Sequence, residues 1–227
     1  MKKEKKVKSK KKITGSIELD SNSFLEISNL KTYIRIIDDN YIESINFKEA
    51  YHINVDFNYL NFESCYFKNC EFSTCDFENS TFLNCIFIDC IFLNCEFDKS
   101  HLDKITISSC KFMGASFISA KYSNIIINDS NFNYVTNFEA NIDDVLISDS
   151  TFIDSSFNDC KLRNFNTDKS NFSSSEFFNT MLKDIDFSTS DISNIRLSDS
   201  LKELKGIIVD TFQAAELSQY LGIIIKR

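Results

Sequence analysis

The sequence predicts an all-β solenoid with a square cross-section, followed by a short C-terminal helix. Three observations predict it: a large apolar residue returns every five residues, a small residue lies two places before it, and residues twenty apart resemble each other most closely. Self-similarity at a fixed period is the signature of a repeat architecture. Four five-residue units therefore make one coil, with one unit on each side.

The large apolar series fills the axis of the predicted coils. It runs in steps of five from Phe47 to Leu197, and only His52, Asn137 and Thr167 depart from it. Rings that stack in columns would bury the apolar surface that a thin rod otherwise lacks. The chain has no Pro, which suits a backbone whose N–H groups bond to the next coil.

The small series contains all eight cysteines of the chain, among them Cys70, Cys90 and Cys110, which are twenty residues apart. A metal site needs ligands that converge on one point, whereas Cys65, Cys70 and Cys75 would lie on three successive sides. A disulfide framework is rare in a reducing compartment. We interpret the cysteines as small hydrophobic side chains and predict neither a metal nor another cofactor.

The repeated unit resembles that of the pentapeptide-repeat proteins, in which a small, a polar and a large apolar residue are followed by two polar ones. SCYFK, NCEFS and DCIFL carry this pattern over roughly two thirds of the chain. The resemblance implies a right-handed quadrilateral parallel β-helix.

The charge of the chain is divided between a basic tail and an acidic body. Residues 1–12 hold eight Lys and one Glu, and the remaining chain holds 17 basic and 32 acidic residues. An acidic rod as wide as a duplex is an electrostatic decoy for a nucleic-acid-binding protein. From charge alone, the better explanation is that an acidic surface keeps a Phe-rich rod soluble. The acidic residues expected to face outward are Glu71, Asp76, Glu96, Asp129, Asp149, Asp154, Asp184, Asp186 and Asp191.

Four regions follow from these patterns. Residues 1–12 are expected to be a disordered basic tail, which either solubilises the protein or contacts nucleic acid or an acidic partner. Residues 13–44 are interpreted as degenerate first coils, with a strand at 33–38, that cap the N-terminal end. Residues 45–200 form the β-helix, and residues 201–227 form a C-terminal module. No apolar segment follows the tail and no apolar run could span a membrane, so we expect a cytoplasmic protein.

The C-terminal module, GIIVDTFQAAELSQYLGIIIKR, begins at Gly206. Asp210 and Gln213 have capping-box spacing, so we predict a helix over TFQAAELSQYL that ends at Gly222. Apolar segments on either side, Ile207–Val209 and Ile223–Ile225, are predicted to be short strands.

This module is very similar to the tail of the Qnr quinolone-resistance proteins and their mycobacterial relatives. The resemblance implies a twofold dimer joined end to end, whose acidic rod imitates DNA, binds DNA gyrase and topoisomerase IV, and protects them from fluoroquinolones. The acidic residues named above would then imitate phosphates, and the body itself would not bind nucleic acid. The dimer interface would comprise Phe212, Ala215, Leu217, Leu221, Ile223 and Ile225. Two features depart from the family: the unbroken frame leaves no room for projecting loops, and the lysine tail has no counterpart.

Two further functions were weighed against this one. An interaction or immunity protein with a different partner, or directed at a different topoisomerase poison, would have the same repeat. An enzyme is not expected, because the chain has two histidines, no Gly-rich phosphate loop and no nucleophile–base pair at usable spacing. A uniform rod is also expected to lack a cleft.

Overall fold

The computed structural model describes residues 25–27, 29–30 and 40–226. The expected basic tail at 1–12 and the expected strand at 33–38 lie outside the described residues, as does most of the 13–44 cap.

Within the residues that the structure describes, fourteen short strands form the body. They are β1 (Leu25–Ile27), β2 (Tyr41–Glu43), β3 (Ile45–Lys48), β4 (Tyr51–Ile53), β5 (Asn61–Glu63), β6 (Tyr66–Lys68), β7 (Glu71–Ser73), β8 (Thr81–Leu83), β9 (Ile86–Ile88), β10 (Ile91–Leu93), β11 (His101–Ser108), β12 (Lys121–Asn128), β13 (Asn141–Ser148) and β14 (Lys161–Asp168).

Strand pairing confirms the predicted parallel solenoid. All strand pairs are parallel, and their partners are twenty residues apart, as in Ile105↔Ile125 and Val145↔Phe165. One column follows the order β1-β3-β6-β9-β11-β12-β13-β14. A second column contains β4, β7 and β10, and a third contains β2, β5 and β8. A fourth consists of single bridges from Asp56 to Arg196. Four columns per coil give the rod four sides.

We number the four sides by their five-residue units. Face 1 contains the unit 45–49 and the units at twenty-residue intervals after it. Faces 2, 3 and 4 contain the units 50–54, 55–59 and 60–64 and their equivalents in later coils. At each outward position of a face, every coil therefore contributes one residue, and these residues form a column along the rod.

The chain turns each corner through a left-handed residue. Almost every fifth residue from Ser44 to Asn194 has a φ between 46° and 65°, although nearly all of them carry a side chain. Asn and Asp are frequent there, as expected for residues that tolerate this conformation. Gly114 is the one corner glycine among them, and a Cβ there would clash with Asn94 Oδ1.

Aromatic rings stack along the axis of the rod, as the sequence predicts. On face 2 the ring centroids of successive coils lie 4.5–5.5 Å apart and the planes are within 28° of parallel. This column contains His52, Phe72, Phe92, Phe112, Phe132, Phe152 and Phe172. Edge-to-face contacts such as Phe72–Phe77, at 5.5 Å, join neighbouring columns into one core.

The three polar residues of the axial series are buried and hydrogen-bonded. His52 Nε2 accepts the Leu30 N–H at 3.1 Å. Asn137 Oδ1 accepts from the Tyr122 hydroxyl at 2.7 Å, and burial raises the pKa of that phenol well above its ordinary value. The Thr167 and Ser190 hydroxyls are 2.9 Å apart. Because a buried polar group costs stability only when it lacks a partner, the axis accommodates these departures.

The small series is buried beside the rings, and all eight cysteines are free and buried. Cys70, Cys90 and Cys110 occupy successive coils of face 2, and the Cys90 N–H lies 3.4 Å from Cys110 Sγ. The column then changes to hydroxyls: the Cys110 N–H donates to Ser130 Oγ and the Ser130 N–H donates to Ser150 Oγ, each at 3.0 Å. The predicted role of cysteine as a small inward residue is confirmed.

The regular frame ends after residue 198. Arg196 still pairs with Glu176, twenty residues away, but Asp186 pairs with Ile208, twenty-two residues away. A 3-10 helix at Lys202–Leu204 absorbs the two extra residues. Its buried Glu203 accepts the Asn179 N–H on Oε1 at 2.9 Å. The carboxylate thus replaces the carbonyl that a further coil would have supplied.

A helix closes the C-terminal end. Helix α1 spans Thr211–Ser218, continues as a 3-10 helix at Gln219–Leu221, and stops at Gly222 with a φ of 73°. The predicted capping box is present: the Asp210 N–H donates to Gln213 Oε1 at 3.0 Å, and the Gln213 N–H donates to Asp210 Oδ1 at 2.8 Å.

The two strands predicted beside this helix are not formed as such. Ile207–Val209 makes a single bridge through Ile208, and Ile223–Ile225 is not a strand. A strand needs a neighbour with free backbone groups, whereas the Ile223 N–H of the second segment donates to the Ser218 carbonyl of the preceding helix at 3.3 Å.

Candidate functional site: an acidic face and an apolar end

The charge of the rod is concentrated on one side. Within residues 45–200, face 3 carries nine acidic and two basic residues, whereas face 4 carries five of each. Face 1 carries six acidic and three basic residues, and face 2 carries three and one. The acidic residues of face 3 are Asp56, Asp76, Glu78, Glu96, Asp98, Glu139, Asp159, Glu176 and Asp199.

Three of these residues lie directly above one another. Asp56 bridges to Asp76, and Asp76 bridges to Glu96, on three successive coils. Stacked strands are about 4.8 Å apart, so this column places like charges at a spacing that is destabilising unless solvent or a partner screens it. Glu78 and Asp98 form a second short column on the same face.

Both basic residues of face 3 are engaged with acids of that face. Lys99 Nζ lies 2.6 Å from Glu78 Oε1, and Arg196 lies 3.3 Å from Glu176. The hydrogen bond and the charge of Lys99 lower the pKa of the Glu78 carboxyl, and the same contact raises the pKa of the Lys99 ammonium. No basic residue of this face therefore lies beside the Asp56–Asp76–Glu96 column.

Several face 3 carboxylates are fixed by backbone N–H groups. Asp56 Oδ1 accepts the Asn58 N–H at 2.9 Å, and Asp76 Oδ1 accepts the Glu78 N–H at 2.8 Å. Asp98 Oδ1 accepts the Ile118 N–H at 2.9 Å. Carboxylates held in this way present charge at defined positions with little side-chain entropy left to lose on binding.

The nine acidic residues expected from the sequence are spread over all four faces. Seven are exposed, while Asp76 and Asp186 are half-buried. Two lie on face 3, namely Asp76 and Glu96, and one lies on face 4, Asp184. Face 1 holds Asp129, Asp149 and Asp186, and face 2 holds Glu71, Asp154 and Asp191. The other seven acids of face 3 were missed, although sorting acidic residues by their position within each twenty-residue coil would have found them.

The C-terminal end of the rod exposes an apolar surface. Helix α1 turns Gln213, Leu217 and Tyr220 toward the last coil, at the spacing of one helix face. Elsewhere on the helix and the turn that follows it, Phe212 is 83% exposed and Leu221 is 66% exposed. Ile223, Ile224 and Ile225 continue this surface, which we call the apolar end, and Ile224 is 89% exposed.

Most of the residues expected at a dimer interface belong to the apolar end. Phe212, Leu221, Ile223 and Ile225 are exposed. Leu217, by contrast, is buried in the core of its own chain, and Ala215 is half-buried.

Other kinds of site were also considered. Within residues 25–27, 29–30 and 40–226, no group of three or more His, Cys, Asp or Glu side chains converges as metal ligands would. An open polar cleft, which the sequence did not predict, is lined by Ser193, Asn194, Glu216, Gln219 and Tyr220. No helix in the part of the chain that the structure describes is long and apolar enough to cross a membrane.

The five-residue unit, the four sides and the stacked columns define a pentapeptide-repeat solenoid. The family model described as a pentapeptide repeat region matches residues 65–142. Residues 65–142 are therefore a pentapeptide repeat region, and the rest of the body continues the same fold.

Solved structures with a similar fold include two of QnrB1, a plasmid-mediated fluoroquinolone resistance protein. A trypsin-treated form is 22% identical, covers 89% of this chain and 98% of its own, and has a TM-score of 0.40. The full-length form is 20% identical over 82% and 94% of the two chains, with a TM-score of 0.37. HetL, from the cyanobacterium Nostoc, is 13% identical over 79% and 94%, with a TM-score of 0.36. A comparison with curated proteins finds no match.

Proposed function

We propose that this protein is a DNA mimic that binds DNA gyrase or topoisomerase IV and protects it from quinolones. The observation that carries the proposal is the charge of face 3, where nine acidic residues oppose two basic ones along a straight rod. If the acidic residues served only to keep the rod soluble, we would expect a similar net charge on each face. Instead, face 3 carries a net charge of −7 and face 4 carries none.

The charge density sets the strength expected of this mimicry. Double-stranded DNA carries about one charge per 1.7 Å of its axis. A net seven charges on face 3, spread over about eight coils spaced about 4.8 Å apart, give about one charge per 5 Å. Binding to a DNA-binding surface is therefore expected to weaken with salt, with a shallower slope than that of DNA itself.

The proposed mechanism is competitive. The rod occupies the positively charged surface on which the topoisomerase holds its DNA, so the enzyme–DNA complex that a quinolone traps does not form. Binding of this kind needs surface charge and a rigid shape, and it needs no chemistry from the protein.

The second part of the proposal is a homodimer joined through the apolar end. Phe212, Leu221 and Ile224 expose large apolar side chains at one end of the rod, and exposed apolar surface marks interaction sites. A twofold contact would cover both copies at once and would double the length of the acidic rod. The sequence resemblance of this module to the Qnr tail points to the same arrangement.

A supercoiling assay with purified gyrase and ciprofloxacin tests the function. We expect the added protein to restore supercoiling in the presence of the drug, and to inhibit gyrase at higher concentration. If it does neither for gyrase or topoisomerase IV, the topoisomerase proposal is wrong.

Two matched double variants test the role of face 3. Glu96→Lys with Glu139→Lys reverses two exposed charges on face 3, and Asp144→Lys with Asp184→Lys makes the same change on face 4. Glu139, Asp144 and Asp184 are corner residues, and Lys already occupies corners at Lys99 and Lys104. Glu96 is the second residue of its unit, a position that Lys111 occupies in another unit. We expect the face 3 variant to protect at least about tenfold less well and the face 4 variant to stay within about twofold. Equal losses would show that face 3 has no special part.

A further inference from the structure

Gln213 has two roles that its place in the capping box does not reveal. Its Oε1 completes the box by accepting the Asp210 N–H at 3.0 Å. Its Nε2 crosses to the last coil, where it donates to the Phe187 carbonyl at 3.0 Å and the Ser190 carbonyl at 2.5 Å. One acceptor and two donor contacts fix the orientation of the amide, because a flipped amide would oppose like atoms at all three.

These contacts lie at the C-terminal end of the solenoid, where no further coil follows to bond the backbone groups of the last one. Phe187 and Ser190 belong to the last coil. One coil earlier, the carbonyl equivalent to that of Ser190 bonds to a later segment of the chain: the Ser170 carbonyl accepts the Asp191 N–H at 2.8 Å. The Gln213 side chain thus donates hydrogen bonds to two backbone carbonyls at this end of the solenoid. The Glu203 carboxylate accepts a hydrogen bond from a backbone N–H there.

We propose that Gln213 is a positioning residue, a latch that holds helix α1, and with it the apolar end, at a fixed angle to the rod. Leu217 adds a buried apolar contact, and the Tyr220 hydroxyl donates to the Ile195 carbonyl. Leu217 alone would let the helix slide or rotate, because apolar contact is not directional. The two bonds from Gln213 to the coil set the direction in which Phe212 and Leu221 face.

The consequence for assembly rests on the proposed homodimer. A twofold contact through the apolar end makes a straight double-length rod only if each helix leaves its own rod at the same angle. Loss of the latch would leave the apolar surface intact but free to pair at many angles.

The variant Gln213→Glu isolates the latch from the helix cap. Glu at this position still completes a capping box, but its carboxylate faces two carbonyl oxygens instead of donating to them. The control is Asp210→Ala, which removes the cap and leaves both donors to the coil. Hydrogen exchange of residues 211–221, compared with residues 65–142 of the same full-length chain, measures docking directly.

We expect Gln213→Glu to lose at least about tenfold of the exchange protection across the helix, with the solenoid unchanged. Asp210→Ala should affect mainly the first turn. A carboxyl that faces two carbonyls has a raised pKa and donates once it is protonated, so protection in the Glu variant should recover as the pH is lowered. A helix that merely packed on the rod would show no such recovery.

Unchanged protection in Gln213→Glu, or equal loosening in Asp210→Ala, would overturn the latch. Scattering of the dimer tests the consequence, with a shorter and broader particle expected for the Glu variant. Because exchange is measured within one chain, a latch can be confirmed even if the protein proves monomeric or fails to bind a topoisomerase.

Discussion

Two phenylalanines mark the contrast between the body of the rod and its C-terminal end. Phe72 is fully buried between the rings of the coils before and after it, whereas Phe212 is 83% exposed on helix α1. In the body, the axial rings of one coil are covered by those of the next. At the C-terminal end there is no next coil. The side chains of Glu203 and Gln213 therefore hydrogen-bond to the backbone groups there, and apolar surface stays exposed.

The largest effect should come from cutting the stack. Phe72→Ala removes a ring that lies 4.9 Å from Phe92 and 5.5 Å from His52, in a column that cannot collapse without moving whole coils. We expect a loss of about 3–5 kcal/mol in the free energy of unfolding, measured by urea denaturation. Phe212→Ala is the matched control, and its cost should stay below about 0.5 kcal/mol. Similar costs at both sites would contradict the contrast.

The next effect should appear in assembly and leave the fold alone. Phe212→Ser with Leu221→Ser removes two of the most exposed side chains of the apolar end, and sedimentation should then find a dimer dissociation constant at least about a hundredfold higher. Tyr134→Ser, at an exposed tyrosine on face 2, is the control and should leave the constant unchanged. A chain that is monomeric before any substitution would refute the homodimer.

A smaller effect is expected in the pH dependence of stability, through the buried Glu203 at the C-terminal end of the rod. Burial raises the pKa of Glu203, but the hydrogen bonds from Ser198 and backbone N–H groups, together with the charge of Lys202, outweigh it and hold the pKa below its usual value. A lowered folded-state pKa means that Glu203 stabilises the fold above the unfolded pKa of about 4.3, and that this contribution is lost as pH falls through the lower folded value.

Glu203→Gln should therefore flatten the pH dependence of stability below about pH 5, while it keeps an oxygen that can accept the Asn179 N–H. Exchange of the Asn179 amide as a function of pH checks this. An equal decline in the two proteins would show that Glu203 titrates alike in the folded and unfolded chains.

The smallest effect is expected at the cysteines. Cys90→Ser should change the free energy of unfolding by less than about 1 kcal/mol, because Ser130 and Ser150 already fill the same position of that column with sound hydrogen bonds. Cys90→Leu should cost about 1–3 kcal/mol, because the position has no room for it. Thermal unfolding compares the two variants. A costly Cys90→Ser would mean that the thiol does more than fill space.

The body of this protein is predictable from its sequence because each residue repeats the environment of the residue twenty places before it. The period alone identifies the stacked Phe columns, the buried Cys70, Cys90 and Cys110, and the four faces. The concentration of acids on face 3 was also encoded in the period, but it emerges only when acidic residues are sorted by face.

The C-terminal end is less predictable because its contacts do not repeat. The capping box of Asp210 and Gln213 is local and could be predicted. The inward turn of Leu217 could not, since it depends on how Gln213 and Tyr220 meet the last coil. Ile223–Ile225 has strand-forming residues, but a strand is a property of two segments, and this chain supplies one.

Competition between this protein and a labelled DNA duplex for purified gyrase tests the account most directly. We predict that the protein displaces the duplex completely, and that its own affinity falls with rising salt along a shallower slope than that of DNA. Simultaneous binding of duplex and protein, or an affinity that does not change with salt, would contradict the claim that face 3 stands in for DNA.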